Sequence, residues 1–95
     1  MDKKKEYLDK VEAQLKEWKN MIDRLEARTS MVSSERKSDL MKEIEELRRK
    51  KVVVKEKWED MQKTGGEVLD TLKEGVEKAA AELKQALDKV ISRFK

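Results

Sequence analysis

The feature that most constrains this chain is a run of apolar residues at alternating steps of three and four: Leu8, Val11, Leu15, Trp18, Ile22 and Leu25. A helix turns once in about 3.6 residues, so this spacing lays all six along one stripe of a helical surface. Tyr7 and Met21 flank the stripe and widen it, as on a helix that touches two neighbours rather than one. The same phase continues through Thr29, Val32 and Arg36, where the seam weakens inside Thr29-Ser30-Met31-Val32-Ser33-Ser34. Hydroxyl side chains compete for backbone partners and favour caps and turns, so a turn is predicted between about Arg28 and Glu35.

A second stripe follows at Leu40, Ile44, Leu47, Val54, Trp58 and Met61, with Lys51 on the seam where an apolar residue is expected. A lysine there lays its methylenes on the core edge and sends its ammonium to water. Val52 and Val53 extend a β-branched run whose outward members read either as a contact surface or as scattered surface valines. Thr64-Gly65-Gly66-Glu67 breaks the pattern. Paired glycines end a helix, and Thr64 with Glu67 has the spacing of a capping box for the next one. The third stripe is Leu69, Leu72, Val76, Ala79, Leu83, Ala86 and Val90, with Ala80, Leu87, Ile91 and Phe94 beside it. Gly75 within it costs about 1 kcal/mol relative to alanine and is expected to mark a tight helix crossing.

These breaks predict helices near residues 3–28, 36–63 and 67–94 in a single domain, 1–95. The expected fold class is all-α, an antiparallel three-helix bundle or coiled coil, because equal lengths with short connections suit up-down-up packing. The alternative joins the first two helices. The steps from Thr29 to Ile44 form a stutter that a continuous coiled coil absorbs, giving a rod near residues 3–63 of about 90 Å that dimerises, with the third helix folding back. Glu6 with Lys10, Glu12 with Lys16, Glu45 with Arg49, Glu46 with Lys50, Glu59 with Lys63 and Glu74 with Lys78 are spaced to pair along helices, each adding about 0.2–0.5 kcal/mol. A core this small is marginal for a lone monomer, so self-association fits either topology.

Composition narrows the function. Charged residues make up 47%, proline and cysteine are absent, and the 24 basic and 21 acidic side chains nearly cancel. Long exposed helices carry this profile. Without histidine or cysteine the usual general base, thiol nucleophile and zinc ligand sets are missing, so no enzyme activity, cofactor, metal or small-molecule substrate is expected. Glu43, Glu45 and Glu46 form the densest acidic cluster, which reads as a solvated face. Gly65-Gly66 lacks the phosphate-loop pattern. No apolar run is long enough to cross a bilayer, and Met1 to Lys10 is too charged for a signal peptide, which predicts a cytoplasmic protein.

Arg48-Arg49-Lys50-Lys51, with Lys55 and Lys57 after it, is the one local charge excess. It reads either as a solvated helix face or as a contact for nucleic acid or an anionic membrane surface, through Arg48, Arg49, Lys50, Lys51 and Lys55. In the third helix, lysines border an apolar face that ends near Phe94, but its basic and acidic residues balance, which favours packing over membrane binding. Trp18 and Trp58 lie on seams and are expected to anchor the core, where truncating a fully buried Trp18 to alanine costs about 3–5 kcal/mol.

Glu6-Tyr-Leu-Asp-Lys-Val-Glu-Ala-Gln-Leu-Lys-Glu-Trp18, Gly75-Val-Glu-Lys-Ala and the ending Ala86-Leu-Asp-Lys-Val-Ile-Ser-Arg-Phe-Lys95 resemble small bacterial coiled-coil proteins associated with stress response. The resemblance spans nearly the whole chain. It implies a helical, cytoplasmic protein with a stress-linked structural or interaction role, and it carries over no catalytic residue. Leu69 and Ala80 stand where such proteins often have tryptophan, and Thr29 to Ser34 replaces an alanine- and lysine-rich helix. The expected function is therefore structural: self-association or partner-helix binding through the apolar seams, with polyanion binding by the basic run as the alternative.

Overall fold

Each apolar stripe becomes one helix. The computed structural model describes residues 3–64 and 69–94, which hold α1 (Lys3–Thr29), α2 (Ser34–Lys63) and α3 (Leu69–Ser92) and no strand. The chain is an all-α three-helix bundle, 51 Å long and 19 Å across in both other directions. The rod formed by continuous first and second helices is not what the chain adopts. The hydroxyls at the predicted turn explain why. Thr29 Oγ1 donates to the Leu25 carbonyl at 2.8 Å and Ser30 Oγ to Ala27 at 2.6 Å. Backbone bonds from Met31 to Arg28 and from Val32 to Thr29 then tighten the last turn of α1, which stops the α-helical ladder. Ser33, in extended conformation, opens α2, and its carbonyl accepts from the amides of Arg36 and Lys37.

The predicted boundaries shift slightly. α1 runs one residue further, to a fully buried Thr29, and α2 starts two residues sooner. Arg93 and Phe94, predicted as helix, lie in a closing turn. The Gly65-Gly66 break and the capping partner Glu67 fall outside the described residues. Thr64 ends α2 in an extended conformation, its hydroxyl donating to the Asp60 carbonyl at 2.7 Å.

α2 is the spine of the bundle: it packs along both neighbours, while α1 and α3 barely approach each other. Its Leu40, Ile44, Leu47, Val54 and Met61 are buried, together with Val11, Ile22 and Leu25 of α1 and Val76, Ala79, Leu83, Leu87 and Val90 of α3. Removing a leucine from such a core costs about 2–5 kcal/mol. Five seam residues expected in the core, Leu8, Leu15, Trp18, Trp58 and Leu72, are only half-buried and pack against its edge. Four of the five line grooves between helices, Trp18 where α1 and α3 stand apart and Leu8, Leu15 and Trp58 along the α1–α2 edge. Truncating Trp18 therefore does not carry the cost of a fully buried indole. In α3 burial moves from Ala86 to Leu87, because a straight helix drifts from a strict heptad seam. Leu69 opens α3, and its side chain lies outside the described residues.

Polar contacts hold both ends. At one end the Arg36 guanidinium donates to the Arg93 carbonyl at 2.8 Å, Arg93 pairs with Glu43, and Arg28 stacks over Phe94 at 4.9 Å. At the other, Trp58 Nε1 donates to the Leu8 carbonyl at 2.8 Å, Lys4 reaches the Thr64 carbonyl, and Lys73 sits 5.1 Å over Tyr7. Gly75 is not a tight crossing. A Cβ there would meet only the Cδ and Nζ of Lys57, each at 3.8 Å.

Candidate interaction surfaces

Two surfaces follow from this packing. The first is the open seam between α1 and α3. Tyr7, Val11, Gln14 and Trp18 of α1 face Val76, Glu77, Ala80, Ala81 and Lys84 of α3 across one depression. A second depression, of about 300 Å³, continues it past Trp18 to Met21, Leu87 and Asp88. Gln14, Trp18 and Lys84 border both, so the two form one trough. Its floor is apolar and its rims carry Lys10 and Glu17 on α1 and Glu77, Lys84 and Asp88 on α3. Burial, and then the neighbouring Glu77 carboxylate, raise the Tyr7 phenol above its ordinary range. Gln14, Ala81 and the rim charges were not singled out from the sequence, because a stripe shows which face is oily but not which neighbour fails to cover it.

The second surface dismembers the basic run. On a helix, four consecutive residues point in four directions. Arg48 turns back to α1 and bridges Asp23 at 3.1 Å and Glu26 at 3.2 Å. Burial alone would lower its pKa, but the hydrogen bonds to Asp23 and Glu26 outweigh that and raise it. Arg49 stays on α2 with Glu45 and Glu46, at 3.8 and 2.8 Å. Lys50 faces α3 beside Val53, Ala79 and Glu82. Arg49 lines that same depression facing α3, whereas Lys51 and Lys55 turn the other way, and α1 adds Lys16 and Lys19, so that four lysines border a groove of about 290 Å³ with Leu15, Trp58 and Glu12. Lys16 and Lys19 flank the first stripe and are missed when the basic run is sought within one helix.

Of the helical charge pairs predicted from spacing, Glu12–Lys16 and Glu45–Arg49 form, both at 3.8 Å. Glu46 takes Arg49 instead of Lys50, and among the described residues the other predicted partners do not come within ion-pair distance. Val52 and Val53 are 47% and 42% exposed, and Met31 at the α1–α2 turn is 86% exposed. Glu43 pairs with Arg93 while Glu45 and Glu46 serve Arg49, and among the described residues no acidic cluster is arranged to hold a metal ion. No described helix is long and apolar enough to cross a membrane.

Comparison with protein-family models, with curated proteins and with solved structures finds no match for this chain.

Proposed function

We propose that this chain is a non-enzymatic interaction module that pairs with a second copy of itself through the open α1–α3 seam. The observation that carries this reading is the seam: two helices of a three-helix bundle stand apart over an apolar trough containing Trp18, Tyr7 and Met21. Aromatic residues at the centre of a partly covered apolar surface are the usual anchors of a protein interface.

Charge favours a copy of this chain as the occupant. Tyr7 is level with Lys73 and Arg28 with Phe94, the same offset at both ends, so α1 and α3 run parallel and Gln14 is level with Ala80. A two-fold axis at right angles to the helices, passing near that level, sets Lys10 of one copy opposite Glu17 of the other. It also sets Glu77 opposite Lys84. Both pairs lie on the trough rims, and such self-complementarity is what an isologous interface requires. The small Ala80 and Ala81 at the centre let the backbones approach closely. The lack of histidine and cysteine supports the non-enzymatic reading, and the lack of cysteine a cytoplasmic setting. The likeness of its segments to stress-associated coiled-coil proteins supports a stress-linked role.

Sedimentation velocity across a concentration series tests the pairing. The native chain is expected to shift from monomer to dimer with concentration. Lys10→Glu sets carboxylates against each other twice per dimer and should weaken pairing on the order of tenfold. Adding Glu17→Lys should restore it. A chain that sediments as a monomer throughout, or a double reversal that fails to restore pairing, overturns the reading.

A further inference from the structure

The groove between α1 and α2 concentrates charge that the rest of the molecule balances. Four lysines, Lys16 and Lys19 from α1 and Lys51 and Lys55 from α2, line it against a single acid, Glu12. Lys16 and Lys19 pair with Glu12 and Asp23 along α1, which leaves Lys51 and Lys55 as a local excess of two positive charges. The groove walls themselves are apolar, formed by Leu15 and Trp58, and the Trp58 ring is fixed in place by its bond to the Leu8 carbonyl.

Packing alone does not call for this arrangement. Further along the same interface α1 and α2 meet through opposite charges, Asp23 and Glu26 with Arg48. In the groove, like charges stand at i,i+3 in α1 and at i,i+4 in α2, spacings that destabilise a helix. Lys16 leans on Glu12 at 3.8 Å and Lys19 on Asp23 at 3.0 Å. Among the described residues no carboxylate comes within ion-pair distance of Lys51 or Lys55. Lys51 is partly desolvated, and burial first, then Lys19 and Arg48, disfavour its charged form by more than the nearby Asp23 carboxylate favours it. An anion seated among the four would relieve this repulsion.

We propose that this groove is a binding site for a linear anion of the polyphosphate class. Lysine ammoniums are compact point charges, suited to phosphate oxygens without the planar fork that arginine presents. The lysines on each wall are separated by about 5 Å along the helix axes, a span within the length of one short polyphosphate chain. Lys51 and Lys55, with no carboxylate in ion-pair distance among the described residues, supply the excess charge that a polyvalent anion neutralises, and Lys16 and Lys19 stand close enough to join them. Leu15 and Trp58 add an apolar surface on which an organic substituent, such as a nucleoside, can rest. The groove lies on the opposite edge of α1 from the self-pairing seam, so the site does not depend on self-association.

Calorimetric titration of the full chain at low salt, on the order of 20 mM, tests it with inorganic tripolyphosphate as the probe. Saturable binding is expected with the native chain. Lys51→Gln/Lys55→Gln should weaken it at least tenfold, while Lys37→Gln/Lys42→Gln, which makes the same change in net charge outside the groove, should leave it within about twofold. Circular dichroism confirms that both variants keep their helices. A nucleoside triphosphate that binds as tightly or more tightly also supports the site. Absence of saturable tripolyphosphate binding, equal loss in the two double variants, or binding of anionic phospholipid vesicles alone overturns the proposal.

Discussion

Lys51 shows how one side chain carries two demands. It occupies a seam position that the heptad pattern assigns to an apolar residue, and its half-buried side chain lines the lysine groove. Its folded-state pKa lies below the ordinary lysine value of 10.5, so the unfolded chain binds that proton more readily than the folded one. By linkage the folded state is penalised wherever Lys51 is charged, and the penalty fades as pH climbs past the unfolded value. Lys51→Met is therefore expected to melt at a higher temperature than the native chain near pH 7, with the gap narrowing towards roughly pH 11. Thermal melts followed by circular dichroism at the two pH values check this; an equal or lower melting temperature near neutrality would show that the ammonium is not under strain. Asp23 works in the opposite sense. Hydrogen bonds from Lys19 and then Arg48 hold its carboxyl below the ordinary range, so its contribution is present above its unfolded pKa and is lost as pH falls through the folded value.

At the scale of elements, α3 carries an avoidable weakness. Gly75 sits mid-helix, and no backbone conformation or close neighbour requires a glycine there, since an added methyl would make only ordinary contact with the flexible end of Lys57. Gly75→Ala is expected to stabilise the chain by about 0.5–1 kcal/mol. Urea unfolding should show this as a raised midpoint at unchanged slope, and a lowered midpoint would mean that Lys57 cannot yield. The α1–α2 turn was legible in the sequence for a local reason: hydroxyls cluster at Thr29, Ser30, Ser33 and Ser34, and those of Thr29 and Ser30 bond to backbone carbonyls of the last turn of α1, a habit that favours helix ends over interiors. The fate of Arg48 was not legible in this way. Its acceptors, Asp23 and Glu26, belong to another helix, and their identity depends on how α1 and α2 are staggered.

For the whole molecule, shape separates this architecture from a paired rod. Two bundles that join side by side about an axis near the middle of α1 keep nearly the length of one, 51 Å, and grow only in width. Small-angle scattering of concentrated protein should therefore give a maximum dimension far below the roughly 90 Å of a continuous first and second helix. A value near that length would show that the α1–α2 turn opens on association.

The sequence by itself determined which residues are helical, where α1 stops and which stripe of each helix turns inward, because these follow from backbone hydrogen bonding and from a period of 3.6 residues acting over a few neighbours. Only the tertiary structure decided that α2 lies between the others, that Trp18 faces a gap rather than a packed core, and that Lys51 and Lys55 meet Lys16 and Lys19 instead of Arg49 and Lys50. Those outcomes depend on the relative rotation and stagger of whole helices. Such quantities are set by how some dozen buried side chains interdigitate at once, and no local window of residues contains them.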